Sequence, residues 1–194
     1  MPPAPRRTRS DARQNRERLL EVAAQVFAEQ ELDAAPAAIA KRAGVGVGTL
    51  YRHFPTREAL IDAAYQRQLT MVCEKAAELL PGRTAAEAMR EWMEHFVAYA
   101  TAKYGMAQAL NTVIASGTDP YADSRALLTD AVGTLLAAGA ADGSLRTDLT
   151  SEDVLLFMGG IAQSAGQAGS REQSARLVGL LLDALRPFEG GRRA

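Results

Sequence analysis

Residues Ala43 to Phe54 read A-G-V-G-V-G-T-L-Y-R-H-F, a turn followed by a short helix that exposes its polar residues. Gly44 is free to take the left-handed conformation that ends one helix. Leu50 and Phe54, one turn apart, then direct the apolar side of the next helix inward. Val47, Gly48, Thr49, Tyr51, Arg52 and His53 are left facing out. A hydroxyl, a phenol, a guanidinium and an imidazole on one small helix suit the phosphates and base edges of a DNA major groove. The preceding helix, about Ala37 to Arg42, has Ile39 and Ala40 as its buried side. Two short helices joined across a glycine make a helix-turn-helix.

The flanking sequence supplies the rest of such a domain. From Ser10 to Gln30 the apolar residues Leu20, Ala23, Ala24 and Phe27 recur at helical spacing, so a first helix packs against the pair, with Ser10 as N-cap and Asp11 in its first turn. After Phe54 the run P-T-R-E-A-L-I-D-A-A-Y starts another helix, with Thr56 as cap and Glu58 near the positive end of its dipole. Arg57 therefore sits at a helix N-terminus beside the exposed helix. A cation there opposes the dipole unless an anion shares the site, and a DNA phosphate is the natural one.

The stretch from about Arg13 to Tyr65, with I-A-K-R-A-G-V-G-V-G-T-L-Y-R-H-F-P-T-R-E-A-L at its centre, resembles the DNA-binding domain of the TetR family of transcriptional regulators. The resemblance implies an all-α protein: an N-terminal three-helix helix-turn-helix domain and a C-terminal helical domain for ligand binding and dimerisation. It places Thr49, Tyr51 and His53 where the family contacts bases and phosphates, Arg57 where a basic residue touches the backbone, and Val47, Gly48 and Arg52 on the sequence-reading part of the helix. Three positions depart from the pattern. Ala35-Pro36-Ala37-Ala38 lacks the Ser or Thr that caps the second helix, although Pro36 fits a first turn. Gly46 replaces a frequent serine, and Glu31 stands where a helix-ending glycine is usual.

Charge is distributed unevenly. The 194 residues carry a formal charge of −1, yet residues 1–60 hold ten Lys or Arg against seven Asp or Glu, and residues 61–194 hold twelve against sixteen. Only the first part suits a polyanion. Arg6, Arg7, Arg9 and Arg13 cluster in a Pro-rich leader that is either a basic arm along the DNA or a solvated tail. The organisation expected is a basic arm over 1–10, the DNA-binding domain over 11–60, a ligand-binding and dimerisation domain over 61–188, and a tail over 189–194.

Beyond residue 60 the sequence reads as helix after helix, about Arg57 to Leu80, Ala85 to Lys103, Met106 to Ser116, Tyr121 to Ala141, Ser151 to Ala168 and Arg171 to Leu185, broken where Gly, Pro and Asp favour turns. The last two carry more apolar surface than one buried stripe needs. Val154, Met158, Ile161 and Ala165 on one, with Leu177, Val178, Leu181, Leu182 and Leu185 on the other, are the expected homodimer interface, which the family resemblance also implies. A two-fold dimer sets two recognition helices roughly 34 Å apart on double-stranded operator DNA. The segments S-G-T-D-P-Y-A-D-S-R and A-D-G-S-L-R-T-D resemble the C-terminal domains of an SbtR-like group.

Met89, Trp92, Met93, Phe96, Tyr99, Met106, Leu110, Tyr121, Leu128 and Phe157 are of the types that pack a helical core or line an adaptable apolar cavity. The resemblance implies a cavity for an unknown small-molecule effector, with these residues around it. Chemistry is poorly supported. Two histidines, His53 and His95, and one cysteine, Cys73, give no pair at metal-ligand spacing. Glu87, Glu91 and Glu94 share a helix face but lack the Glu-x-x-His partners of a di-iron bundle. Gly44, Gly46 and Gly48 follow no strand and precede no Lys-Ser or Lys-Thr, so they do not make a phosphate-cradling loop. The expectation is a cytoplasmic, non-enzymatic, cofactor-free regulator, a repressor released from its operator by the effector. A ligand-binding or interaction protein with weakened DNA binding is the alternative, motivated by the Ala35 to Ala38 and Gly46 departures.

Overall fold

A computed structural model describes residues 9–29, 34–167 and 171–187. The expected all-α architecture is what it contains. Among the described residues the elements are α1 (Arg9–Ala28), α2 (Pro36–Arg42), α3 (Val47–His53), α4 (Arg57–Glu78), α5 (Ala85–Gly105), α6 (Ala107–Ala115), α7 (Ser124–Asp142), α8 (Ser151–Gln167) and α9 (Arg171–Leu185). The leader with Arg6 and Arg7, the side chain of Arg9, Glu31 and the tail after Pro187 lie outside the described residues.

Two compact units share the chain. One holds α1 to α3, α4 as far as Arg67, and Gly105–Pro120 with α6; the other runs from Gln68 to Tyr104 and resumes at Tyr121. In the first, α1 packs on α2 and α3, and Leu19, Leu20, Ala23, Phe27, Ile39, Ala40, Leu50, Leu60, Ile61 and Tyr65 are buried. Glu17 Oε2 accepts from Arg67 Nε at 2.6 Å, joining α1 to α4, and Pro120 O accepts from Gln66 Nε2 at 2.9 Å.

Gly105, expected at the break between two helices, ends α5 there, and α6 begins at Ala107. The reason for the glycine is tertiary. A Cβ on it would stand 2.9 Å from Ala28 Cα, so only a glycine lets the end of α1 approach this closely. Ser10, expected as the cap of α1, falls inside the helix, which already includes Arg9, a difference of two residues.

The second unit is organised around Trp92, which is fully buried and donates from Nε1 to Val72 O at 2.9 Å. Truncating such a ring to alanine costs about 3–5 kcal/mol. The start of α5 is capped twice. Thr84 and Glu87 form a capping box, Thr84 N donating to Glu87 Oε2 at 2.8 Å and Glu87 N to Thr84 Oγ1 at 3.3 Å. From the turn after α7, Asp142 Oδ2 accepts from Ala85 N at 2.7 Å and Ser144 Oγ from Ala86 N at 3.1 Å. Four orphan amides of a helix start need such acceptors. Thr150 and Asp153 repeat the box on α8. At the other end, Arg146 N donates to Leu185 O at 2.9 Å and closes α9.

Candidate nucleic-acid interface

α3 is delivered by a short, glycine-dependent turn. Pro36 occupies the first turn of α2, and Ala35, at φ −62° and ψ 139°, has N-cap geometry with no side-chain acceptor. At the other end Gly44 takes φ 65°. Val45 N donates to Ala40 O at 2.9 Å and Gly44 N to Lys41 O at 3.1 Å, which is the Schellman pattern and satisfies two terminal carbonyls. Val45 is buried and Leu50 lies five residues on, the spacing that fixes the entry of the chain into α3. Gly46 caps α3 with no side-chain bond.

At 100° per residue the seven residues of α3 divide into three faces. Leu50 is buried, as is Phe54 one turn on. Val47, Gly48, Tyr51 and Arg52 are exposed, Tyr51 at 47%. Thr49 corrects the sequence reading: it is 8% exposed, beside Leu50 on the inner edge, instead of facing out. His53, one turn after Thr49, is consequently half-buried. The surface offered to a ligand is therefore formed by Val47, Gly48, Tyr51 and Arg52, with His53 at its margin.

Arg57 opens α4, where Thr56 Oγ1 accepts from Ala59 N at 3.1 Å as the expected cap, and Glu58 lies in the first turn. The Arg57 guanidinium lies over the Phe27 ring, 5.2 Å from its centroid. A second cation was not read from the sequence. Arg16 of α1 is exposed, and its guanidinium lies 5.4 Å from the centroid of Phe54, the residue that caps α3. The signal for it was available: Arg16, Leu20, Ala23 and Phe27 fall on one helical row, so Arg16 extends the buried stripe by a turn. Arg42 at the end of α2 pairs with Glu29 at 3.7 Å. Among the described residues no group of three or more His, Cys, Asp or Glu is placed to hold a metal ion, and no helix is long and apolar enough to cross a membrane.

Comparison with known proteins agrees with this geometry. Residues 19–64 match the model of the bacterial regulatory proteins of the tetR family, and residues 84–187 match the SbtR-like transcriptional regulator C-terminal domain. The chain belongs to the TetR family of transcriptional regulators. A crystal structure of a TetR transcriptional regulator from Streptomyces coelicolor is 49% identical and superposes with a TM-score of 0.84, over 89% of this chain and 98% of that one. A TetR regulatory protein from Mycobacterium vanbaalenii is 34% identical, with a TM-score of 0.76 over 92% and 99%. An HTH-type transcriptional regulator of Staphylococcus aureus (strain USA300) is 42% identical over 62 residues, 31% of this chain and 34% of that protein. The chain thus matches about a third of the length of that curated relative.

In this TetR-family regulator the residues expected at a dimer interface divide into two sets. Val154, Met158, Ile161, Val178, Leu182 and Leu185 are buried within the chain's own second unit, whereas Ala165, Leu177 and Leu181 are partly exposed. The most exposed apolar side chains of α8 and α9 are Leu156 at 78%, Phe157 at 61% and Leu180 at 60%. An apolar groove of about 460 Å³ runs between the two helices, with Phe157, Ile161, Leu177, Leu180 and Leu181 in its walls. Phe157, expected around an interior cavity, stands on this outer face instead. Of the other residues expected there, Met89, Trp92, Met93, Phe96 and Tyr99 are buried in the second unit, with Trp92 and Phe96 centroids 5.5 Å apart. Met106 and Leu110 are buried in the first unit. Leu128 is half-buried, and Tyr121 lies under Lys103 Nζ at 4.3 Å.

Proposed function

We propose that this TetR-family regulator is a ligand-responsive repressor that binds a palindromic operator as a homodimer and is released by a small-molecule effector. The observation that carries the reading is the pairing of two exposed surfaces of different chemistry. α3 exposes Tyr51 and Arg52, side chains suited to a major groove, and α8–α9 exposes Leu156, Phe157 and Leu180, apolar side chains that a single chain leaves in water. A second copy of the chain seated on that face generates the two-fold symmetry a palindrome requires. Gly159 and Gly160 have open space where a Cβ would stand, which suits a close helix crossing.

The effector is proposed to enter among Met89, Trp92, Met93, Phe96 and Tyr99, whose thioether and aromatic side chains can repack around an apolar guest. It acts only through its differential affinity for operator-competent and operator-incompetent states. Selection of random duplex DNA on the purified protein tests the reading. A winning pair of inverted half-sites about one helical turn apart is expected, with affinity falling steeply as salt rises. Sequence-blind, weak binding would instead favour an interaction protein with reduced DNA affinity, the reading suggested by the absence of side-chain caps at Ala35 and Gly46.

A further inference from the structure

We propose that Arg16 is a phosphate-binding residue of the operator complex, seated on Phe54 so that α1 and the end of the recognition helix grip one DNA strand together. The inference rests on the operator reading above and adds a contact from the first helix. Arg16 is exposed, yet its guanidinium is not left to wander, because it lies 5.4 Å from the Phe54 ring centroid. Phe54 is itself 3% exposed and held by its N–H to Leu50 O at 2.8 Å, so the platform is rigid. A guanidinium on an aromatic face keeps its N–H donors in its own plane, directed away from the ring. That leaves the bidentate edge that matches a phosphate.

The neighbouring side chains make the assignment to Arg16 specific. Arg18 donates to Asn15 Oδ1, and Glu17 accepts from Arg67, so the adjacent cation and acid are engaged inside the domain. Arg57 provides the parallel, since it lies over Phe27 in the same manner at the start of α4. Two guanidiniums are thus held on buried rings, Arg16 on Phe54 and Arg57 on Phe27. His53 continues the edge, its ring 6.2 Å from that of Phe54.

The test uses the full chain, the duplex obtained by selection and a scrambled duplex of equal length. Arg16→Ala is expected to weaken binding to both by about tenfold or more, and to lower the salt slope by roughly 0.9 per phosphate lost, hence roughly 1.8 for a two-fold complex. Arg16→Lys keeps the charge and loses the planar fork, so it should hold the slope and lose affinity severalfold. Equal thermal melting of the three proteins guards against a folding defect. Wild-type affinity and slope in Arg16→Ala would overturn the assignment while leaving the operator reading intact. A loss of affinity at unchanged slope would make Arg16 a structural residue and also overturn it. If the wild-type chain binds neither duplex, both readings fail.

Discussion

Gly105 lies against the end of α1 so closely that a Cβ on it would stand 2.9 Å from Ala28 Cα and 3.0 Å from its carbonyl carbon. Those atoms are backbone and cannot rotate away. Gly105→Ala therefore forces α1 and the start of α6 apart. A loss of about 1–3 kcal/mol in urea unfolding is expected. A stability equal to that of wild type would show that the approach is looser than described.

Caps are missing where they are sterically allowed. Ala35 has the extended N-cap geometry of α2 and no side-chain bond, so Ala35→Ser should stabilise the chain by about 0.5–2 kcal/mol. Gly46→Ser, whose Cβ would meet Thr49 Oγ1 at an ordinary 3.9 Å, should add only a few tenths of a kcal/mol. Chemical denaturation of the two variants reads both increments, and the order Ala35→Ser above Gly46→Ser is the outcome expected.

Bonds from Ser144 and the Ala85 N–H hold the Asp142 carboxyl below its usual range. The Thr84 bonds do the same for Glu87, and the Thr150 bonds for Asp153. Carboxyls lowered by folding stabilise the native state above their ordinary values, and that contribution is lost as pH falls through the lowered native ones. Asp142→Asn should reduce the melting temperature at pH 7 and approach wild type as the pH drops below the ordinary carboxylate range. A melting difference that stays constant over that range would contradict the role of the charge.

Burial of Cys73 pushes its thiol up to about 11, with Glu74 and Asp130 adding to the shift. The thiolate is the reactive form. Labelling by a thiol reagent at pH 8 should be about a hundredfold slower in the native chain than in the unfolded one, from the thiolate fractions alone. Equal rates would show an ordinary, accessible thiol.

Phe157 and Leu180 are 61% and 60% exposed, so Phe157→Asp with Leu180→Asp leaves the core of the second unit untouched. The double variant should keep its helical circular dichroism, sediment as a single chain and lose operator binding. A variant that still assembles would place the partner elsewhere.

Much of this was legible from local sequence. The Leu50–Phe54 pair, Gly44 and the Thr56 cap were readable because each acts within one turn of chain. The capping boxes T-A-A-E and T-S-E-D were equally local, though not read. Thr49 was misread because a seven-residue helix has little room between its faces, and a residue next to Leu50 is drawn in with it. Phe157 shares its helix with Val154, Met158 and Ile161, so composition could not say which side meets the chain's own core. Gly105, the Asp142 cap on α5 and the Arg16 seat on Phe54 depend on partners far away in sequence, where periodicity carries no information.

The mass of the complex formed with the selected duplex, measured by sedimentation at two salt concentrations, decides whether the chain binds DNA as a dimer. Two chains per operator, dissociating steeply as salt rises, is the result the dimeric DNA-binding account predicts. One chain per duplex, or binding indifferent to sequence and salt, would contradict it.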